Sequence, residues 1–503
     1  MNAAARPTTS RAELTAVIKR ARNIMRKDPG LNGDADRIPQ LSWLLFLKSL
    51  DDHEKSRELV EDDYRPVIDE PFRWRDWAGP DVSKPRTGES LTGFVNNELL
   101  PHLAGLRGLA RQGRERDVVA QVFSDVHNRM LSGYLLAELV EQIDRVNFNS
   151  SDDLHTMALV YESMLKEMRD SAGDAGEFYT PRPVVRFMVD MLDPQIGETV
   201  MDPAAGTGGF LVEAHEHVKT KVSSVQDRER TRGTIRGFEK KPQPFLLGQM
   251  NLLLHNAHEP AVVRGNALLP SLTEQKDDGV DIVLTNPPFG GEEEASVVKS
   301  FPVGMRTSET SWLFLQAVMA RIDRSRGRAA VVVPNSTLFD KGIGAAIKKK
   351  LLTEFDLHTV VRLPNGVFEP YTAIPSNLLF FEAGRPTRDV WFYELPLPEG
   401  RKKYTKTKPL RYEEFADLAT WWGSPGAGTE RREDRTENDH AWTVPVEQIV
   451  ERGYDLDLRN PHQADSLENR PVAEILDELV EVEKEILELL QGLRAEVGSG
   501  ARR

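Results

Sequence analysis

Leu14, Val17, Ile18, Ala21 and Met25 recur at intervals of three and four residues, and so do Leu131, Tyr134, Leu135, Leu139 and Ile143. That spacing lines one face of a helix. Few β-branched runs interrupt the stretch between them, so residues 11–170 are predicted to form an α-helical N-terminal domain behind a disordered start at 1–10. The pattern changes near Gly173. Short apolar runs at 199–202, 234–239, 261–264, 280–285, 329–333, 358–363 and 377–382 then alternate with helical periodicity. Runs such as Ala329-Ala-Val-Val-Val333 lack polar alternation, as strands covered on both faces of a mainly parallel sheet do. Seven strands with helices between them predict a doubly wound α/β core over 171–400. After Gly384 the sequence becomes charged and proline-rich, and residues 401–464 read as an irregular linker with a flexible stretch at Gly423-Ser-Pro-Gly-Ala-Gly-Thr429. A C-terminal helical tail is expected over 465–503. From Pro471 onward, Ile475, Leu479, Val482, Ile486, Leu489 and Leu493 follow a 4-3-4-3-4 spacing flanked by glutamates. About three heptads are short for a free-standing coiled coil, so this stripe packs either on its own domain or on a partner.

Composition narrows the class. At 503 residues, 39% hydrophobic and 29% charged, the chain should be globular and divide into more than one domain. No apolar run reaches a membrane-spanning length and the first ten residues lack an apolar signal core, so a cytoplasmic location is expected. The absence of cysteine excludes disulfides, thiolate zinc sites and thiol nucleophiles. None of the 11 histidines stands at ligand spacing, and no metal is expected. A formal net charge of −14 is awkward for a chain that would grip nucleic-acid phosphates unaided.

Candidate chemistry lies at the ends of the predicted strands. Ile282-Val-Leu284 stops at Asn286-Pro-Pro-Phe289, because two successive prolines cannot donate to a sheet. The loop offers the Asn286 amide, the Pro287 carbonyl and an aromatic face, the groups that hold an exocyclic amine and stack on its ring. Alone, Asn-Pro-Pro reads more readily as an ordinary strand-ending turn; the upstream sequence reverses that preference. Upstream, a β-branched run ends at Asp202, and Pro203-Ala-Ala-Gly206-Thr207-Gly208-Gly209 leads into a helical pattern, the layout of a nucleotide-binding βα unit. Asp202 would repel a pyrophosphate and suits a cationic or hydroxylated, amine-bearing ligand. The next strand ends at Glu239, placed either as a plain surface acid or to accept from two ribose hydroxyls. At Glu177-Phe178-Tyr179-Thr180-Pro181-Arg182, Thr180 is predicted to cap a helix whose first position is Pro181. That capped helix leaves the adjacent Phe178 and Tyr179 unexplained.

In this order and spacing, Glu177–Arg182, Asp202–Gly209, Glu239 and Asn286–Phe289 resemble the S-adenosylmethionine-dependent DNA adenine-N6 methyltransferases. The chain looks, more narrowly, like the methylation (modification) subunit of type I restriction–modification systems. Trp43-Leu-Leu-Phe-Leu-Lys-Ser-Leu-Asp-Asp52 is similar to that subunit's first conserved helix, and Gly453-Tyr-Asp-Leu-Asp-Leu-Arg459 to the motif before its final helices. The resemblance implies a seven-stranded methyltransferase core. It implies that Glu177 to Arg182, Asp202, Gly206 and Thr207 to Gly209 surround the cofactor S-adenosylmethionine, that Glu239 takes its ribose, and that Asn266 lies near its adenine. Asn266 stands where relatives often carry an acid, and Phe289 where many carry Tyr.

The reaction so implied is direct methyl transfer to N6 of a flipped-out adenine in double-stranded DNA. Asn286 and the Pro287 carbonyl would localise the amine's lone pair, and Phe289, beyond Pro288, would stack on the base. A separate specificity subunit, one to two methylation subunits, would choose the site; no segment here is long enough for a recognition domain of its own. Whether restriction subunits join is open at this point. Three other functions share parts of the pattern. An N4-cytosine methyltransferase usually carries Ser-Pro-Pro. A protein-glutamine methyltransferase shares Asn-Pro-Pro but is far smaller. A non-enzymatic module would be a decayed methyltransferase.

Overall fold

The computed structural model describes residues 11–59, 64–79, 82–106, 113–146, 180–255, 257, 260–269, 272–275, 279–369, 372–423, 434–462 and 483–484. The expected disorder at 1–10, residues 147–179 and nearly all of the C-terminal heptad stripe lie outside them.

Nine strands form one sheet: β1 Val200–Asp202, β2 Ile235–Glu239, β3 Ala261–Arg264, β4 Ile282–Thr285, β5 Arg328–Pro334, β6 Asp356–Arg362, β7 Ser376–Glu382, β8 Asp389–Glu394 and β9 Ala441–Pro445. Their order is β3-β2-β1-β4-β5-β7-β6-β8-β9. Neighbours run parallel except at β7, antiparallel to both β5 and β6, and at β9, antiparallel to β8. All seven expected strands form, but the count of seven is two short. β8 and the edge strand β9 come from sequence that reads as charged and proline-rich. Each is only five or six residues long, and their pairing rests on a long-range contact, Phe392 stacked on Trp442 across the ladder at 5.4 Å. Strand β9 and helices Ala416–Trp422 and Val446–Glu451 likewise correct the expectation that 401–464 is irregular.

Period-two alternation builds two cores. Val200, Ile282, Leu284, Ala330, Val332, Leu378 and Phe380 face one side of the sheet. Met201, Val283, Ala329, Val331, Val333, Leu379 and Phe381 face the other. The helical N-terminal region joins the first of these cores. Helix Pro242–Leu254, apolar around most of its circumference, is the reason: one side meets β2 and β3, the other meets helices Asp34–Glu58 and Gly113–Phe123. Arg264, at the end of β3, adds an ion pair to Asp125, and its backbone N–H donates to the Gln121 side-chain oxygen at 3.2 Å.

The strand order reverses between β1 and β4. In open α/β sheets a ligand sits beyond the carboxyl ends of the strands at such a switch point. Here those ends are Asp202 and Thr285.

Candidate functional site

Asp202 is 1% exposed. Its Oδ1 accepts from the Thr285 hydroxyl at 2.7 Å and from the Ala204 N–H at 3.0 Å. Burial lifts this carboxyl to about 7 against those two bonds, and the nearby Glu239 charge adds to the lift. The turn that follows needs left-handed backbone at Gly206 (φ +54°) and Gly208 (φ +76°), which only glycine adopts at little cost. It is held from three sides. Asn251 Nδ2 donates to the Thr207 carbonyl at 3.0 Å, Arg182 Nη1 to the Gly209 carbonyl at 3.1 Å, and the Gly206 N–H to Glu239 Oε2 at 2.8 Å. Gly237 lets β2 approach β1 here, since a β-carbon on it would lie 2.9 Å from the Asp202 carbonyl.

Glu239 ends β2 and is nearly buried. Its second oxygen accepts the Lys241 N–H at 2.7 Å. Burial raises its carboxyl above the usual range despite both backbone bonds. Two buried carboxylates whose ionised forms are disfavoured therefore border one glycine turn, an arrangement that a bound cation would relieve.

Beyond β4, Asn286 Nδ2 donates to the Thr180 hydroxyl at 3.0 Å. This leaves Asn286 Oδ1 buried with no hydrogen-bond partner among the described residues. A buried amide oxygen left open is costly unless a ligand supplies the donor. Thr310 Oγ1 donates to the Pro288 carbonyl at 2.8 Å and fixes the diproline turn, while half-buried Phe289 packs against the first core. After β3, Asn266 Oδ1 accepts the Leu268 N–H and its Nδ2 donates to Glu293, both at 3.0 Å. Glu293 also receives Lys240 Nζ at 3.2 Å. Burial raises the Glu293 carboxyl, but the bonds from the Glu294 N–H, Lys240 and Asn266 outweigh it and hold the group below its ordinary value.

Thr180, Arg182, Asp202, Gly206–Gly209, Glu239 and Asn286–Phe289 are thus gathered along the ends of β1, β2 and β4, with Asn266 beyond β3. Glu177, Phe178 and Tyr179 lie outside the described residues. Thr180 is not the helix cap. Pro181 takes that position (φ −54°, ψ 130°) and the helix runs Arg182–Leu192. The Thr180 hydroxyl is instead committed to Asn286, a long-range bond that local capping preference cannot foresee. Sequence reasoning missed Thr285, Asn251, Thr310 and Glu293. Only Thr285, a hydroxyl adjoining Asn286 in an apolar strand, carried a local signal.

Helix Arg182–Leu192, which follows Thr180, is locked at its far end. His217 contacts Asp190 at 3.2 Å and Asp193 at 2.7 Å, Lys221 pairs with Asp193, and the Tyr412 hydroxyl donates to Asp190. Hydrogen bonds to Asp190 and then Asp193 lift the imidazole to about 9, against burial. Its folded pKa lies above the unfolded value, so the stabilisation is full below about pH 6.5 and is lost as pH rises through about 9. His217→Gln should cost on the order of 2 kcal/mol at pH 7. Denaturant titrations at pH 7 and pH 10 check this: the gap from the parent protein should shrink at the higher pH, and an unchanged gap defeats the assignment.

Among the described residues no group of three or more His, Asp or Glu could hold a metal ion, and no helix is long and apolar enough to cross a membrane.

Comparison with known proteins adds the following. Residues 152–470 match the model of the N-6 DNA methylase family, and residues 14–143 match the HsdM N-terminal domain. The methylase subunit of the type I restriction enzyme EcoEI, from Escherichia coli, is 45% identical over 97% of this chain and 98% of its own length. The EcoKI methylase subunit of Escherichia coli K12 is 31% identical over 82% and 76%. A crystal structure of a modification subunit assigned to a type I restriction enzyme of Vibrio vulnificus superposes with a TM-score of 0.82 at 48% identity, over 93% of this chain and 100% of that one. A chain from a structural study of complex assembly and conformational transition in the type I R-M system gives 0.80 at 40% identity, over 97% and 98%.

Proposed function

This chain belongs to the N-6 DNA methylase family, as a type I restriction methylase subunit, and from that premise we propose that it transfers the methyl group of S-adenosylmethionine to N6 of an adenine flipped out of double-stranded DNA. The observation that carries the site assignment is Asn286: its amide nitrogen is spent on Thr180, and its buried oxygen is open at the strand end next to Asp202.

The residues present fit the cofactor. Bound here, S-adenosylmethionine supplies a methyl group already activated by sulfonium charge. Asp202 and Glu239, both disfavoured as buried anions, suit a cationic and hydroxylated molecule. Each Glu239 oxygen accepts one backbone N–H and keeps a lone pair for a ribose hydroxyl. Arg182 and the Gly206–Gly209 turn would border the methionine end, together with Glu177, Phe178 and Tyr179, and Asn266 the adenine end. Asn286 Oδ1 and the Pro287 carbonyl would accept from the target amine and draw its nitrogen toward tetrahedral geometry, which localises a lone pair otherwise spread into the ring. Phe289 would stack on the base.

The partner is a specificity subunit that selects the DNA site, bound by two copies of this chain. A net charge of −14 supports that reading, because sequence-independent DNA affinity rests on cationic contacts to phosphate. The test is reconstitution. Plasmid treated with tritium-labelled S-adenosylmethionine and the chain plus its specificity subunit should yield N6-methyladenine after digestion to nucleosides and mass spectrometry. The isolated chain should transfer negligibly. N4-methylcytosine as product, or robust site-specific transfer by the isolated chain, contradicts the proposal.

A further inference from the structure

The loop that carries Asn286 runs on past the diproline turn and is braced there by residues 308–310. The Thr310 N–H donates to the Gly291 carbonyl at 3.0 Å, and the Glu293 N–H donates to the Ser308 carbonyl at 2.8 Å. Held in this way, a loop that leaves β4 makes contact with the ends of β2 and β3. Strand order puts β1 and β2 between β4 and β3. At about 4.8 Å per strand step the reach is about 14 Å, past the strands that end in Asp202 and Glu239. Glu293 makes the far contact. Its Oε1 accepts Lys240 Nζ at 3.2 Å and its Oε2 accepts Asn266 Nδ2 at 3.0 Å.

These contacts stand beside Glu239. In the ladder Glu239 is paired with Arg264, its carbonyl accepts the Gly265 N–H at 2.9 Å, and Lys240 follows it in the chain. Asn266 is therefore two residues past the ladder partner of Glu239. The bonding pattern of the Asn266–Glu293 pair then indicates what it recognises. The Asn266 amide has a fixed orientation, because Oδ1 accepts the Leu268 N–H and Nδ2 faces a carboxylate. One Nδ2 hydrogen is spent on Glu293 and the other is left over. Oε1 of Glu293 takes both Lys240 and the Glu294 N–H, whereas Oε2 takes only Asn266 among the described residues and has room for a second donor. The result is an amide N–H beside an anionic acceptor on a side chain only 6% exposed. Adenine presents the complement, an amine donor next to a ring-nitrogen acceptor. Hypoxanthine, with oxygen in place of the amine, would turn an acceptor toward the carboxylate.

We propose that Glu293 makes this site specific for an adenine-bearing cofactor: its Oε2 accepts the adenine amine of S-adenosylmethionine, and Asn266 Nδ2 donates to the adjoining ring nitrogen. The inference rests on the cofactor reading above. It changes the part of Asn266, which the resemblance puts at this end, from acceptor to donor, and takes the acceptor from the loop of the target base. That loop then holds the amine of the cofactor through Glu293 and that of the target through Asn286. Calorimetric titration of the full chain with S-adenosylhomocysteine and with S-inosylhomocysteine, which carries hypoxanthine, tests it. The parent protein should prefer the adenine compound by about tenfold or more, the value of one good set of base-edge contacts. Glu293→Gln keeps an oxygen for Lys240 and the Glu294 N–H and turns an amide N–H toward the base. In this variant the preference should fall by about tenfold or more, because the hypoxanthine compound gains a donor for its oxygen while the adenine compound loses its acceptor. Glu293→Ala should also lower the preference, through the adenine compound alone. Glu239→Gln, which alters the ribose end, should weaken both compounds alike and keep the parent ratio. A Glu293 that only braces the loop predicts equal losses for both compounds, so an unchanged ratio in the Gln and Ala variants overturns the proposal. So does a parent protein that binds the two compounds equally. A parent protein that binds neither refutes the cofactor reading itself, and this proposal with it.

Discussion

Asn286→Ala is expected to leave S-adenosylmethionine affinity within about twofold while methyl transfer falls about 10²–10³-fold, the scale seen when one preorganised polar contact to a reacting centre is deleted. The asymmetry follows from geometry. Among the described residues the Asn286 side chain makes no hydrogen bond to the glycine turn or to Glu239; it donates to Thr180 on one side and leaves Oδ1 open on the other. Removing it deprives the target amine of its acceptor and costs the Thr180 hydroxyl one donor, but leaves every hydrogen bond of the glycine turn and of Glu239 in place. Asp202 and Thr285 keep their own bond at 2.7 Å, so the base of the loop should persist. Calorimetry with the cofactor and tritium transfer to DNA, both in the complex with the specificity subunit, measure the two quantities separately. Near-normal turnover would sink the assignment of Asn286. A parallel loss of cofactor binding would mean that the diproline loop supports the cofactor rather than the base.

The sheet was legible because its chemistry is local. β-Branched runs at β1, β4 and β5 lack polar alternation, and glycine and proline end them abruptly, so both strand and loop could be read together. β8 and β9 were not, because their pairing depends on Phe392 and Trp442 meeting across nearly fifty residues of polar sequence. The site divides in the same way. Asp202, the glycine turn, Glu239 and Asn286 sit at strand ends, where pattern reveals them. Their partners come from elsewhere: Asn251 from a helix that looks purely structural, Thr310 from the helix beyond the loop, and Glu293 from that loop itself. Thr180 shows the limit well. Its residue type was read as a cap, and a tertiary hydrogen bond to Asn286 claims it instead.

Glu239→Ala should weaken S-adenosylmethionine binding about 10²- to 10⁴-fold, the loss of two hydrogen bonds to a charged group at roughly 1.5–3 kcal/mol each. Two effects are mixed in that number, because the carboxylate also anchors the Gly206 and Lys241 N–H groups. Glu239→Gln separates them. The amide keeps one oxygen for Gly206 but presents N–H toward Lys241, and it lacks the charge that strengthens a ribose bond. If the carboxylate acts directly on the ligand, the Gln variant should keep most of the parent's thermal stability yet still bind at least tenfold more weakly, one hydrogen bond's worth. Acidity offers an independent check. Burial raises this carboxyl above the ordinary glutamate range, so falling pH protonates it earlier than a surface acid. Affinity of the parent protein should therefore weaken as pH drops through the acid range, with a steeper slope than in the Gln variant, which has nothing to titrate at this position. Calorimetric titrations across that range decide it: equal slopes, or unchanged affinity in the Ala variant, would leave Glu239 as a loop anchor with no part in holding the cofactor.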